Sequence, residues 1–226
     1  MVYNRQGEPI EMGFLYSLSK YGSRVVFTAF FKVRVFGREN VPRQGPVLLA
    51  GNHQSYLDPV LCGMGLAREL DYMARDSLFR NKIFGAYISS LNAFPIQRDQ
   101  ADIKAIKQII SRLQDKRAVV LFPEATRTAD GRIGKIKSGI ELIARRGKAT
   151  TLPVVIDGAF EAWPRHQKLP APGTIFVQYG EPITPEQTRQ MGRDEYVKRL
   201  NRQMRQMQHD LRKRIGKKPY QYDLDI

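Results

Sequence analysis

His53 and Asp58 are the first side chains in the sequence whose types and spacing could support acid–base chemistry. They follow residues 47–50, an apolar run that is typical of a buried strand and is closed by Gly51. Asp58 directly precedes Pro59, which favours a helix beginning at this point. The carboxylate could then accept a hydrogen bond from one imidazole nitrogen while the other nitrogen faces a substrate. The pair therefore predicts a general base and its orienting group, without an evident nucleophile.

Taken alone, this short pattern also fits a loop histidine beside an ordinary helix-capping aspartate. Three later stretches favour the catalytic interpretation, namely residues 94–98, 122–127 and 152–156. The first two place Arg98 and Arg127 beyond the ends of predicted strands, where open α/β sheets carry their chemistry. The planar guanidinium group of arginine suits phosphate. Glu124 and Thr126 could bond to the backbone or to a ligand, although a carboxylate beside an arginine can also be a structural ion pair.

The elements that position these residues follow from hydrophobic periodicity. Apolar or alternating runs predict strands at residues 32–36, 47–50, 70–74, 93–96, 118–122, 152–156 and 174–179. Helical spacing of apolar residues predicts helices at residues 12–31, 81–90, 101–114 and 136–146, together with the one that starts at Asp58. Strands that alternate with helices predict an α/β fold with a mostly parallel sheet covered by helices.

The two ends of the chain are predicted to flank this sheet. Residues 1–31 read as an amphipathic helical segment that lies in a membrane interface, either as one helix or as two hinged at Gly22. Packing of the same apolar face on the domain core is the alternative. Residues 32–183 form the α/β domain, and residues 184–226 form a basic helical extension that opens with a capping-box pattern at Thr184.

Composition narrows the classes of partner. The chain has 226 residues with 37 Lys plus Arg against 22 Asp plus Glu, so its formal charge is +15 and its pI about 10.1. This surface suits nucleic acid, an anionic membrane or phosphorylated substrates. Zinc-finger spacing and a basic zipper are missing, which argues against nucleic acid. His53, His166 and His209 lack the spacing of zinc ligands, so we expect no metal.

Two features indicate the compartment. A single cysteine, Cys62, excludes an intramolecular disulfide and suits a reducing environment, and residues 1–10 lack the apolar core of a secretory signal. No uninterrupted apolar stretch reaches the roughly 20 residues that span a bilayer. We therefore expect a peripheral protein on the cytoplasmic face of a membrane.

The four stretches together resemble the blocks of the glycerophospholipid acyltransferase family, and the lysophosphatidic acid acyltransferases in particular. The resemblance extends from about Lys32 to Ile183. The first block, Asn-His-x-Ser-x-x-Asp, is matched by Asn52, His53, Ser55 and Asp58. The second and fourth are matched by residues 94–98 and 152–156. The third, usually Phe-Pro-Glu-Gly-Thr-Arg, is matched by residues 122–127 except that Ala125 replaces the glycine.

The resemblance implies a peripheral membrane enzyme of phospholipid biosynthesis that moves a fatty acyl group from a thioester to the free hydroxyl of 1-acyl-sn-glycerol 3-phosphate. His53 would be the base and Asp58 its orienter, with no acyl-enzyme on Ser55 or Cys62. Arg75, where the family often has lysine, and the amide of Ala125 are candidate oxyanion donors. Arg98 and Arg127 would bind the acceptor's phosphate, and Glu124 and Thr126 would order that site.

The implied partners are membrane lipids and an acyl donor, either acyl-CoA or acyl-carrier protein, with no cofactor and no nucleic acid. The acceptor head group, the acyl-chain length and the oligomeric state stay open. Another lysophospholipid or an aminolipid is an alternative acceptor. A non-catalytic membrane-surface protein of the same fold is a further alternative, but a binding module has no need of His53 and Asp58. Ala125 predicts altered substrate fit more than lost activity.

Overall fold

A computed structural model describes residues 2–3, 9–10, 14–96 and 103–222. The strands are β1 Val2–Tyr3, β2 Pro9–Ile10, β3 Phe31–Phe36, β4 Val47–Gly51, β5 Leu70–Arg75, β6 Ala93–Ile96, β7 Ala118–Leu121, β8 Thr150–Asp157 and β9 Gly173–Tyr179. The α-helices are α1 Phe14–Phe30, α2 Asp58–Gly63, α3 Lys82–Ser90, α4 Ile103–Gln114, α5 Gly139–Arg146, α6 Ala159–Ala162, α7 Pro185–Gln190 and α8 Arg193–Arg214. Short 3-10 turns cover Arg38–Asn40 and Asp76–Phe79.

Strands β3 to β9 form a seven-stranded sheet in the order β3-β9-β8-β4-β7-β5-β6. Neighbouring strands are parallel except for β8 and β9, which are antiparallel. The expectation of a mostly parallel sheet with helices is therefore confirmed. Strand β4 lies in the middle with every residue buried, as its unbroken apolar run predicts. Strands β4 to β8 all point the same way, so their carboxyl ends share one edge of the sheet.

The two faces of β4 belong to different layers of the core. Leu48 and Ala50 pack in a cluster with α4, α5 and α8, whereas Val47 and Leu49 pack in a second cluster with α2. This alternation follows from the two-residue side-chain period of a strand. A sheet covered on both faces needs apolar side chains on both, and β4 supplies them.

The last helix belongs to the body of the domain. Its apolar stripe, which includes Leu200, Met204 and Leu211, is buried against the sheet. The Tyr196 hydroxyl forms a 2.6 Å hydrogen bond with Thr151 Oγ1 on β8. The division of the chain at residue 184 remains a prediction, but this helix completes one layer of the core.

Most predicted elements are confirmed to within two residues at each end, and two helices differ from their predictions in a further respect. Helix α1 runs unbroken through Gly22, and residues 12–13 lie outside the described part. The helix predicted from residue 136 starts only at Gly139, because the Lys137 amide donates to the Pro123 carbonyl at 2.9 Å and holds the preceding residues in a loop. The capping box at Thr184 is confirmed with both of its hydrogen bonds. In the described part of the chain, no helix is both long and apolar enough to cross a bilayer.

Candidate active site

His53 and Asp58 are in direct contact at the carboxyl end of β4. The distance from His53 Nδ1 to Asp58 Oδ2 is 2.8 Å, and the same oxygen accepts the backbone amides of Gln54 at 2.6 Å and Ser55 at 2.7 Å. Asp58 is fully buried, and burial raises its pKa while the hydrogen bond from His53 opposes that rise. Because the Asp58 carboxylate accepts at Nδ1, the proton of neutral His53 is held there and Nε2 is left as the basic nitrogen.

Residues of the loop after β7 contact both the ring and the backbone of His53. Phe122 stacks on the His53 ring with centroids 4.3 Å apart and planes 16° from parallel. Gly51 makes room for this phenyl ring, since a Cβ there would lie 3.0 Å from it. The His53 amide donates to Glu124 Oε1 at 2.9 Å, and the Thr128 amide donates to the His53 carbonyl at 2.8 Å. The ring and the backbone of His53 are therefore both fixed by the same loop.

Strand register explains why these two loops meet. Ala50 on β4 is paired with Leu121 on β7, so His53 and Glu124 each lie three residues beyond a matched pair. Equal advance from a matched pair along parallel strands brings the two residues to the same level of the edge. The contact between the first and third blocks is thus a consequence of parallel pairing.

Glu124 acts as a brace between loops. It is 6% exposed, and its carboxylate also accepts the Gly134 amide at 2.8 Å. Burial raises the pKa of Glu124 to about 7, and the amides of Gly134 and His53 lower it in part. Both oxygens of Glu124 are thus engaged by backbone amides, one from His53 and one from Gly134. Its assignment to substrate binding is an untested prediction.

Ala125 occupies the backbone conformation that glycine tolerates best. Its φ is 60°, in the left-handed region, and its amide donates to the Phe122 carbonyl at 3.0 Å. A methyl group in this region costs on the order of 1 kcal/mol. The amide is engaged within the turn, so it can serve an oxyanion only if that bond opens. Thr126, the next residue, is exposed.

Arg127 has a donor that nothing in the described chain satisfies. Its guanidinium carbon lies 3.6 Å from the centroid of the Tyr56 ring, and its Nη1 atom is buried without a hydrogen-bond partner. Arg75 is exposed at the end of β5. Arg98 lies outside the described residues.

A cavity of about 940 Å³ brings together four of the eight predicted site residues. His53, Arg75, Ala125 and Arg127 all contribute to its wall. The rest of the wall is mainly apolar and comes from α1, α2, α3, α4 and strands β5 to β7. The wall thus combines an imidazole, two guanidinium groups and a large apolar surface, which suits a ligand with both an apolar and an anionic part.

Two residues of the first block have structural roles that the sequence did not indicate. Asn52 is fully buried and pairs with the backbone of Ile156 on β8 through both side-chain atoms, at 2.9 and 2.7 Å. The Ser55 hydroxyl donates to the Trp163 carbonyl at 2.8 Å. Cys62 is buried and its pKa is raised well above the ordinary value by desolvation. Neither Ser55 nor Cys62 is presented as a nucleophile. The position of Asn52 at the end of a predicted strand is the feature of the sequence that could have indicated this structural role.

Among the described residues, no group of three or more His, Cys, Asp or Glu side chains is arranged to hold a metal ion.

The model of the acyltransferase family matches residues 32–157, which is more than half of the chain, and the chain therefore belongs to this family. A 1-acyl-sn-glycerol-3-phosphate acyltransferase of Bacillus subtilis is 29% identical over 170 residues, covering 75% of this chain and 82% of that one. The chloroplastic LPAT1 of Arabidopsis thaliana, another 1-acyl-sn-glycerol-3-phosphate acyltransferase, is 26% identical, and the match covers 70% of this chain but only 45% of that one.

A solved structure agrees with these relatives. The crystal structure of the 1-acyl-sn-glycerophosphate acyltransferase PlsC from Thermotoga maritima superposes with a TM-score of 0.73 at 26% identity. The superposition covers 87% of this chain and 79% of that one. The α/β fold and its class as an acyltransferase enzyme are thereby established.

Proposed function

We propose that this enzyme transfers a fatty acyl group from a thioester to the free hydroxyl of 1-acyl-sn-glycerol 3-phosphate, giving phosphatidic acid for phospholipid biosynthesis. The observation that carries the proposal is the His53–Asp58 pair on the wall of a large apolar cavity that also contains Arg127. The names of the relatives point to the same reaction.

His53 is the general base of this reaction. Nε2 takes the proton of the acceptor hydroxyl as its oxygen attacks the thioester carbonyl, and Asp58 stabilises the imidazolium that forms. Collapse of the tetrahedral intermediate forms the ester bond and breaks the carbon–sulfur bond. The proton then passes from His53 to the departing thiolate. The hydroxyl belongs to the acceptor, so transfer is direct and needs no acyl-enzyme and no cofactor.

The two arginines on the cavity wall bind different negative groups of the reaction. Arg127 binds the acceptor's phosphate through its unsatisfied buried Nη1, with Arg98 as the second predicted phosphate ligand. Arg75, on the same wall as His53, stabilises the oxyanion. Glu124 and Thr126 order this region.

We also propose that the enzyme works as a peripheral protein on the cytoplasmic face of a membrane. Large apolar side chains project into solvent from α1, where Phe14 is 80% exposed, and from α3, where Ile83 is 85% exposed. The two helices meet where Ser19 Oγ lies 3.1 Å from the Tyr87 hydroxyl, and both of these residues line the catalytic cavity. An apolar face at the mouth of a lipid-binding cavity favours insertion into the acyl boundary of a bilayer.

The test is incubation of the purified enzyme with several acyl thioesters and a panel of lysolipids, followed by mass detection of products. We expect phosphatidic acid from 1-acyl-sn-glycerol 3-phosphate and far less product from lysolipids with blocked or missing phosphate. Acylation of another lysophospholipid or an aminolipid, with 1-acyl-sn-glycerol 3-phosphate left unchanged, would replace the proposed acceptor.

A further inference from the structure

A second pocket shares Arg127 with the apolar cavity. Its volume is about 650 Å³, and six cationic side chains contribute to its wall: Arg127, Arg132, Lys135, Lys137, Arg165 and Arg205. The acidic side chains on the same wall are Glu124 and Asp130. Glu124 is committed to two backbone amides, and Asp130 lies 3.6 Å from Arg132. The pocket therefore has a large excess of positive charge.

Three of these cations are not neutralised within the protein. In residues 14–96 and 103–222, the side chains of Lys135, Lys137 and Arg165 form neither an ion pair nor a hydrogen bond. All three are exposed. Unpaired cations that converge on one concavity raise the local concentration of anions and bind them by charge-assisted hydrogen bonds.

The basic pocket is connected to the reaction centre. Arg127 lines both this pocket and the catalytic cavity, and Glu124 on the pocket wall accepts the backbone amide of His53. Tyr87, one of the exposed side chains of α3, lines the catalytic cavity together with Ser19 of α1, whereas no residue of α1 or α3 contributes to the wall of the basic pocket. One opening is thus suited to lipid and the other to a water-soluble, highly charged group.

We propose that the basic pocket binds the phosphate groups of the nucleotide part of acyl-CoA, so that the donor enters from the aqueous side and its thioester passes Arg127 to reach His53. This inference rests on the proposed function and selects the donor within it. The acceptor carries one phosphate monoester next to its reacting hydroxyl, and Arg127, with Arg98 as the second predicted ligand, serves that group. The additional cations match a ligand with a diphosphate and a further phosphate.

The decisive variant is Lys135→Ala with Lys137→Ala. Both side chains are exposed and unpaired, and the backbone amide of Lys137, which donates to Pro123, is retained by alanine. The matched control is Lys107→Ala with Lys198→Ala, which removes the same charge from exposed positions on α4 and α8 outside the pocket.

Steady-state kinetics with palmitoyl-CoA and 1-acyl-sn-glycerol 3-phosphate separate the substrates. We expect the pocket variant to raise the KM for palmitoyl-CoA about tenfold or more, with kcat and the acceptor's KM changed by less than about twofold. S-palmitoyl-pantetheine, which lacks the nucleotide, should be used equally well by the variant and the wild type. The control variant should behave as wild type with both donors.

Isothermal titration with adenosine 3′,5′-bisphosphate tests the pocket without turnover. Binding to the wild type and the control variant, and at least about tenfold weaker binding to the pocket variant, is the expected result. Equal binding to all three proteins would overturn the assignment. So would a rise in the acceptor's KM instead of the donor's, or a wild type that accepts acyl-carrier protein and rejects acyl-CoA. If no donor supports acyl transfer, the proposed function fails, while the titration still decides whether the pocket binds the nucleotide.

Discussion

At the scale of single residues, the reactivity of His53 depends on how completely its ring is immobilised. Asp58 holds Nδ1, Phe122 covers one face, and the backbone on both sides of the ring is bonded to the loop after β7. A base held in this way loses little entropy when the acceptor hydroxyl arrives. The sheet sets the orientation of the His53 ring, because each of these contacts comes from residues that follow β4 or β7.

His53→Ala should lower kcat by at least about 100-fold because it removes the group that takes the hydroxyl proton. Asp58→Asn should be less severe, since the ring keeps its surroundings but loses the carboxylate that stabilises the imidazolium. Circular dichroism would verify that both variants are folded before turnover is measured. A folded His53→Ala enzyme with near-normal turnover would exclude the general-base role.

Ala125→Gly should stabilise the protein by about 0.5–1 kcal/mol, because glycine adopts the left-handed conformation at φ 60° without the strain that alanine has there. The greater conformational entropy of glycine in the unfolded chain offsets part of this stabilisation. Urea unfolding would measure the change. Ala129→Gly is the matched control, as Ala129 is an exposed residue of the same loop with an ordinary φ, and there we expect a small loss of stability. A loss at Ala125 as large as at Ala129 would contradict the strain argument.

Glu124 should make stability fall as pH rises. Its pKa is raised from 4.5 to about 7 in the folded protein, so its contribution is present below pH 4.5 and is lost as pH rises through about 7. The free energy of unfolding of wild type minus that of Glu124→Gln should therefore decrease between pH 5 and pH 8 by an amount on the order of 3 kcal/mol at most. Taking the difference cancels groups common to both proteins. A difference that stays constant with pH would show that Glu124 does not titrate in this window.

At the scale of elements, α1 and α3 share one apolar surface. Tyr16 anchors α1 to the domain, where its hydroxyl accepts the Leu70 amide at 2.8 Å, while Phe14 and Val25 on the same helix point into solvent. Packing on the domain core, the alternative to a membrane interface, therefore accounts for one side of α1 only. Helix α3, whose Tyr87 and Ile88 line the cavity, adds the exposed side chain of Ile83.

Phe14→Asp combined with Ile83→Asp should reduce binding to anionic vesicles in a flotation assay, because each change places a charge where apolar area would enter the bilayer. Leu169→Asp is the control, since Leu169 is an exposed apolar side chain that belongs to neither helix. High salt should weaken the wild type only in part, as basic residues add roughly 1 kcal/mol each to binding. Equal release by the control variant would move the membrane contact away from α1 and α3.

At the scale of the whole molecule, α8 and the tail that follows it contact segments next to the candidate active site. Arg212 of α8 is paired with the buried Asp157 at the end of β8 at 2.8 Å, and the Tyr222 hydroxyl accepts the Ile133 amide at 2.8 Å. Ile133 precedes Gly134, whose amide binds Glu124. The tail after α8 is therefore bonded to the segment that contains Gly134. The amide of Gly134 binds Glu124, which also accepts the amide of His53.

Met204→Ala should destabilise the whole domain by about 2–5 kcal/mol, because Met204 is fully buried against the sheet and alanine leaves a cavity. Urea unfolding followed by circular dichroism should show one transition, shifted to lower denaturant. Lys198→Ala, on the exposed side of the same helix, should change stability by less than about 0.5 kcal/mol. A separate early transition confined to helix signal would mean that α8 is an appendage.

The sequence by itself determined the order along the chain of the seven strands of the main sheet and of the main helices, the buried position of β4 and the place of the first three blocks at the ends of strands. These are local properties, since strand and helix periodicity, Pro59 after Asp58 and the box at Thr184 can each be read within a few residues. The contact between His53 and Asp58 belongs with them, because strand end and helix start bring the two side chains together without help from elsewhere in the chain.

Only the tertiary structure decided what lies around that pair. Parallel pairing of β4 with β7 sets the bond from His53 to Glu124, and the return of β8 gives Asn52 its backbone partner in Ile156, 104 residues away. The left-handed backbone at Ala125 and the convergence of cations beyond Arg127 arise in the same way. Each is a contact or a conformation imposed by distant segments, for which the local pattern of residues carries no signal.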